Sequence, residues 1–263
     1  MKVLAIAGNT FRENIRDKIL YNLILFALLM ILSSFVLGQL TLGYENKVIV
    51  DLGLSSISVF GTLIAIFLGI GLVYKELERR TVYALLANPV QRWEFILGKY
   101  LGLLFTLLVN VVIMTAGLLL TLAYRGGLSF QVCLRLLPAV YLIFLSLALT
   151  TAVALVFSTF STPALSALFT LFVWIIGHFN ADLLKFARIA KSAVAEFISW
   201  ILYFVLPNFS NFATVDSRNV IQTAAYYVPI DGAAVGWASL YAVLYCGLLL
   251  AFAATIFSRR DFK

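Results

Sequence analysis

Charged residues are scarce in this sequence, and their scarcity limits what kind of protein it can be. They make up 12% of its 263 residues, about half of the roughly 25% found in soluble globular domains. Hydrophobic residues make up 63%, and several charge-free runs reach the roughly 20 helical residues that cross a hydrocarbon core of about 30 Å. The composition excludes a soluble globular domain and predicts an all-α, polytopic membrane protein.

The residues that build common catalytic and metal sites are also few. The two cysteines, Cys133 and Cys246, and the single histidine, His178, provide neither a zinc-site spacing nor a disulfide framework. No HExxH motif, GxSxG elbow or paired aspartate cluster occurs, so we expect no catalytic residue and no metal site, and a membrane-embedded lipid enzyme is disfavoured. A GxxxxGKS/T loop is missing too. We therefore expect no cofactor in this chain; if ATP drives its function, ATP and Mg bind a separate partner.

Six apolar runs predict membrane-spanning helices. A break is expected at Ser158–Pro163, because the charge-free stretch around it is too long for one crossing and its Ser, Thr and Pro residues favour a turn. The predicted spans are Ile19–Thr41, Leu54–Tyr74, Phe95–Tyr124, Leu136–Phe157, Ala164–Phe179 and Ala233–Phe257. Together they predict a single transmembrane domain over residues 1–263.

Lysine and arginine lie mostly on one side of these spans. Twelve of the 19 fall in the N-terminal segment, the segment between spans two and three, and the C-terminal tail, against three in the short loops of the other side. Cytoplasmic loops are enriched in these residues, so we expect a multi-pass protein of the inner (plasma) membrane with both termini in the cytoplasm. Because the basic residues flank apolar runs, the net charge of +7 does not predict nucleic-acid binding.

The predicted spans hold no Asp, Glu, Lys or Arg away from their ends. Ion-coupled carriers generally keep such residues inside the membrane as relays. A proton- or sodium-driven carrier is therefore disfavoured.

Two segments outside the spans have helical patterns of their own. Residues 1–18 predict an amphipathic interface helix along the cytoplasmic leaflet, with membrane lipids as its partner, although a plain positively charged leader would have the same charge. Its defining residues are Phe11, Arg12, Ile15 and Arg16. Residues 180–232 predict an extracytoplasmic segment, in which the apolar run Phe197–Leu206 is too short to cross and is expected to dip into the outer leaflet.

The third such segment, residues 75–94, is unusually charged for its surroundings. Its first part has helix-forming residues and an apolar side, and Asn88 and Pro89 are suited to cap and begin a new helix that runs into the third span. A solvated linker is one interpretation. The other is a short helix on the cytoplasmic face that presents Leu85 and Leu86 to a soluble partner, since helix-in-groove recognition uses such anchors.

The order of residues in this segment resembles the coupling region of ABC (ATP-binding-cassette) transporter permeases of the type-2 export class. In that family a glutamate follows the second span, and a hydroxyl residue, a leucine pair, a small-residue–proline corner, an arginine and a Gly-Lys pair come after it. The matching residues here are Glu76, Thr81, Leu85 and Leu86, Asn88-Pro89, Arg92, and Gly98-Lys99. The chain departs from the pattern at Asn88, where Ser or Thr is usual, and at Val82-Tyr83, where a Gly-Thr type pair is frequent.

The resemblance implies the membrane-spanning subunit of an ATP-driven exporter. An ABC ATPase subunit would dock on the coupling region, and a second permease subunit would complete a homo- or heterodimer. Residues 180–232 could meet a periplasmic partner, and the uncharged, aromatic-rich spans suit a lipid-like or amphipathic substrate. The residues implied at the ATPase contact are Glu76, Arg79, Arg80, Thr81, Leu85, Leu86, Pro89 and Arg92. The alternative is a regulatory or assembly membrane protein that recruits a different soluble partner through the same segment.

Overall fold

The computed structural model describes residues 2–40, 45–78, 91–180, 193–212 and 232–259. All regular secondary structure in these ranges is helical, which confirms the predicted all-α class. The helices are α1 (Lys2–Ile15), α2 (Lys18–Gln39), α3 (Glu45–Glu78), α4 (Arg92–Tyr124), α5 (Phe130–Phe160), α6 (Pro163–His178), α7 (Ala193–Val205) and α8 (Gly232–Arg259), with a short 3-10 helix at Phe209–Phe212.

Side-chain caps and a proline set several helix starts. Asp17 accepts a hydrogen bond from the Ile19 amide at the start of α2, at 3.0 Å, and Ser129 accepts one from the Val132 amide at the start of α5, at 3.3 Å. Pro163 lies in the first turn of α6, where its missing N–H costs no helical bond. Since α5 ends at Phe160, the predicted break at Ser158–Pro163 is confirmed.

Five of the described helices are long and apolar enough to cross a membrane: α2, α3 as far as Gly71, α4, α5 and α8. The predicted span Ala164–Phe179 corresponds to α6, whose 16 residues fall short of the usual crossing length. The helix α7, in the segment predicted to be extracytoplasmic, has 13 residues, or about 20 Å at 1.5 Å per residue, and is shorter still.

The start of α3 differs from the predicted start at Leu54. The helix begins at Glu45, because Ile49 and Val50 are fully buried in the core and extend the packed helix past the charges that interrupt the apolar run. As a result Asp51 lies inside the candidate span Glu45–Gly71. The span therefore holds a carboxylate that the sequence-based boundaries leave outside it.

The central helix of the bundle is α5. It is mostly buried and packs against α3, α4, α6 and α8. The helices α2 and α8 instead expose apolar side chains, among them Leu32, Val36, Val243 and Leu248. Such a surface is expected in a hydrocarbon medium, where apolar side chains can face the lipid and the backbone polar groups are hydrogen-bonded within the helix.

Candidate functional site at the start of α4

The first turn of α4 contains the last residues of the predicted coupling region, 92–94. The helix running into the third predicted span begins at Arg92, not at Pro89, because Gln91 is extended and its amide donates to the Glu94 carboxylate at 2.9 Å. This hydrogen bond belongs to a capping box, about one turn after Asn88, the residue predicted to cap this helix. The start of α4 meets two other parts of the chain, α1 and the end of α8.

The helix α1 packs on two glycines of α4. A Cβ atom at Gly98 would lie 2.8 Å from Ile6 Cβ, and one at Gly102 would lie 2.6 Å from both the Ala7 carbonyl oxygen and Thr10 Cβ. Real Cβ atoms essentially never come so close, so only glycine permits this approach of two backbones. The GxxxG spacing of Gly98 and Gly102 thus marks the track on which α1 lies.

The direction of α1 follows from which residues meet. Ile6 lies at Gly98, Thr10 at Gly102, and Asn14 Nδ2 donates to Thr106 Oγ1 at 3.3 Å. Residues that follow one another along α1 therefore meet residues that follow one another along α4, and the two helices run in the same direction. Because the two helices are packed together, α1 lies at the same level of the membrane as the first turns of α4. The predicted place of α1 along the cytoplasmic leaflet stays a prediction.

Buried polar groups accompany this contact. Thr106 Oγ1 donates to the Gly102 carbonyl at 2.9 Å, and Asn110 Nδ2 donates to the Thr106 carbonyl at 2.9 Å. Lys99 is 2% exposed; its ammonium lies 4.0 Å from a Glu13 carboxylate oxygen and 5.5 Å from the centre of the Phe95 ring. A buried ammonium is stabilised by a nearby carboxylate and by the face of an aromatic ring.

We expect Glu13→Gln to lower the free energy of unfolding by about 1 kcal/mol. It removes a carboxylate that lies 4.0 Å from a buried ammonium, a loss that costs several kcal/mol when both partners are buried, but the Glu13 side chain is 36% exposed and solvent screens the pair. Thermal unfolding of the purified protein measures the change. Arg12→Gln, an exposed change in the neighbouring residue, is the control, and an equal loss there would contradict a specific role for Glu13.

The end of α8 is the second contact of the α4 start. Arg92 Nη1 donates to the Phe257 carbonyl oxygen at 3.2 Å, and the Phe95 and Phe257 rings stack with centroids 5.8 Å apart and planes at 18°. Both phenylalanines are buried, together with Ile96 and Val156. This small cluster joins the start of α4 to the ends of α5 and α8.

The predicted site residues fall into three groups. Arg79, Arg80, Thr81, Leu85, Leu86 and Pro89 lie outside the described residues, and Glu76 lies in α3 with only its backbone described. Arg92 is half-buried, and its guanidinium donates to the Phe257 carbonyl of α8. In α1, Phe11 packs edge-to-face on Phe105 at 4.9 Å, Ile15 is half-buried, and Arg12 and Arg16 are exposed.

A second built region lies at the opposite end of the bundle. We call residues 207–212 the aromatic wedge. Its Phe209 and Phe212 are each 1% exposed, and the Phe209 ring stacks on His178 of α6 with centroids 5.4 Å apart. The Asn208 amide donates to the Tyr241 hydroxyl of α8 at 2.8 Å. The wedge thus contacts α6 on one side and α8 on the other.

Comparison with known proteins decides the family. The model of the ABC-2 family transporter protein matches residues 4–262, which include α1, the predicted coupling region and α8. The chain belongs to the ABC-2 transporter family. No match is found among curated proteins.

Membership of the ABC-2 family makes the chain a multi-pass membrane permease of an ABC transporter. Such a permease is the membrane component of transport and not itself the catalyst. The family implies an ABC ATPase partner and, in general, a dimeric arrangement.

Proposed function

We propose that this ABC-2 permease is the membrane-spanning subunit of a bacterial ABC exporter that docks a separate ATPase through a coupling helix within residues 75–94. The family match over residues 4–262 carries the proposal. The described flanks support it: α3 ends at Glu78 and α4 starts at Arg92, so the predicted docking segment connects two long, well-packed helices. A displacement of this segment would be passed to both helices as rigid bodies.

The proposed topology has six spans and both termini in the cytoplasm. In it, α6 is the fifth span and crosses despite its 16 residues, which cover about 24 Å, because a bilayer can thin locally around a short helix. With α6 crossing, the start of α4 and the end of α8 both face the cytoplasm, and the aromatic wedge faces the outside. We place the protein in the inner membrane as a single transmembrane domain.

The proposed assembly divides the chemistry among chains. ATP and Mg bind the ATPase, this chain holds no cofactor of its own, and a second permease subunit, identical or different, completes the transport path. Residues 180–232 form the extracytoplasmic segment, where a periplasmic partner would act. The apolar, aromatic-rich helices favour a lipid-like or amphipathic substrate.

Docking through Leu85 and Leu86 predicts that Leu85→Asp/Leu86→Asp abolishes co-purification of the ATPase and uncouples ATP hydrolysis from transport. Two carboxylates cannot enter an apolar groove without a large desolvation cost. The measurement is affinity purification of the permease from its native membrane, followed by identification of the soluble proteins that accompany it.

The matched control is Leu128→Asp/Phe130→Asp, which changes two exposed apolar residues near the turn between α4 and α5. It is expected to leave the ATPase bound. Retention of the ATPase by the Leu85/Leu86 variant would refute this docking site. Recovery of a soluble partner other than an ABC ATPase would instead favour a regulatory or assembly role.

A further inference from the structure

Arg92 is the first residue of α4, and its side chain contacts the last described turn of α8. Its guanidinium donates to the Phe257 carbonyl oxygen at 3.2 Å, although the two residues are 165 positions apart in sequence. The negative end of a helix dipole favours a cation nearby, and Phe257 lies in the last described turn of α8. Arg92 therefore joins the start of α4 to the last described turn of α8.

Ring packing reinforces this hydrogen bond. Phe95, one turn after Arg92, stacks on Phe257, and the two rings are buried at 6% and 4% exposure. They form a cluster with Ile96, Val156 and Ala253 that is separate from the main core of the bundle. The start of α4 thus holds the end of α8 by a directional hydrogen bond and by packed rings, which together restrict both sliding and rotation.

We propose that Arg92 is a positioning residue that makes the end of α8 follow the start of α4, so that movement of the coupling region reaches the last span directly. The inference rests on the proposed function, since the movement comes from the docked ATPase. It assigns Arg92 an intramolecular role in place of the ATPase contact that its place in the sequence implies. The coupling region then drives three helices, α3 and α4 through the chain and α8 through Arg92.

The test follows two distances in the complex of the permease with its ATPase. Spin labels on Leu101→Cys in α4 and on Phe252→Cys in α8 are each paired with one on Leu165→Cys in α6; all three side chains are exposed. Cys133 is replaced by serine, and labelled protein is diluted with unlabelled protein so that each complex holds one labelled copy. Distances are measured by electron–electron resonance without nucleotide and after trapping with ATP and vanadate.

In the otherwise unchanged permease we expect both distances to change on trapping. In Arg92→Gln the α4 change should persist, while the α8 change should shrink about twofold or more, because the charge-assisted hydrogen bond is gone. Arg92→Lys should restore much of the α8 change, since an ammonium can also donate to the carbonyl. Phe257→Leu, which keeps the carbonyl and removes the ring stack, should reduce the α8 change by a second route. Phe130→Leu, a change in an exposed residue at the start of α5, should alter neither distance.

Several results would overturn the inference, and they are distinguishable from one another. Equal α8 changes in Arg92→Gln and the unchanged protein would show that α8 moves independently of Arg92. Loss of the ATPase from Arg92→Gln during purification would assign Arg92 to the ATPase contact. If neither distance changes on trapping in the unchanged permease, the inference falls together with the proposed coupling. If only the α4 distance changes, coupling stands and the inference fails.

Discussion

Gly102→Leu is expected to destabilise the protein by about 3 kcal/mol, toward the upper end of the usual cost of overpacking, and to release α1 from α4. A Cβ at this position would lie 2.6 Å from the Ala7 carbonyl oxygen, and a backbone atom cannot turn aside as a flexible side chain can. The helix α1 must therefore move away as a whole. Thermal unfolding and hydrogen exchange of the α1 amides measure the two effects.

Gly236→Leu is the matched control for this experiment. Gly232 and Gly236 repeat the GxxxG spacing in α8, but a Cβ at either position would meet no atom of the described residues within 4 Å. The change should therefore stay within about 0.5 kcal/mol, as for surface substitutions in general, and leave exchange in α1 unaltered. An equal loss of unfolding free energy in the two variants would mean that the effect comes from replacing a helical glycine and not from the contact with α1. Slow hydrogen exchange of the α1 amides in Gly102→Leu would contradict the packing of α1 on α4.

The two GxxxG motifs illustrate what the sequence could predict and what it could not. Their spacing is the same, yet within the described part of the chain another helix packs against Gly98 and Gly102 and none packs against Gly232 and Gly236. The GxxxG spacing indicates that a second helix can approach closely, but whether a second helix is present depends on the rest of the fold. Long helices, the break before Pro163 and the all-α class follow from composition and local signals, and these were predictable.

The helix α1 was predictable as a helix, but its contact with α4 was not. Thr10 and Asn14 are the buried residues of α1, at 0% and 5% exposure, whereas Leu4 is 73% exposed. Between membrane helices, small residues and shared hydrogen bonds favour contact more than hydrophobicity does. A hydrophobicity pattern therefore does not identify the residues of α1 that pack against α4.

Arg92 illustrates a limit of another kind. Its charge and its place after the Asn88-Pro89 pair suggested a contact with a soluble partner, which stays a prediction; its hydrogen bond to the Phe257 carbonyl could not be predicted. A backbone carbonyl carries no residue-type signal, and a contact across 165 positions has no local pattern. Only the assembled bundle brings the two groups together.

The aromatic wedge offers the second large effect. Phe209→Ala is expected to lower the free energy of unfolding by about 3–5 kcal/mol, the usual cost of truncating a buried phenylalanine. The Phe209 ring stacks on His178, and its Cδ2 atom would lie 2.5 Å from a Cβ at Gly177. Its removal therefore leaves a cavity between α6 and the 3-10 helix that the backbone cannot easily close.

The same substitution distinguishes a structural role of the wedge from loose surface packing. Phe197→Ala on α7 removes an equal side chain that is 66% exposed, and it should change the unfolding free energy by less than about 1 kcal/mol. In Phe209→Ala, hydrogen exchange should also accelerate over residues 205–212. Among the described residues, the contacts with α8 that remain are two hydrogen bonds, from the Asn208 amide to the Tyr241 hydroxyl and from the Tyr245 hydroxyl to the Val205 carbonyl, and the Phe212–Tyr241 ring contact. Equal losses in the two variants would mean that the wedge does not depend on Phe209. A large loss confined to Phe209→Ala, with fast exchange at the wedge alone, would make this ring the main connection between α6 and the wedge.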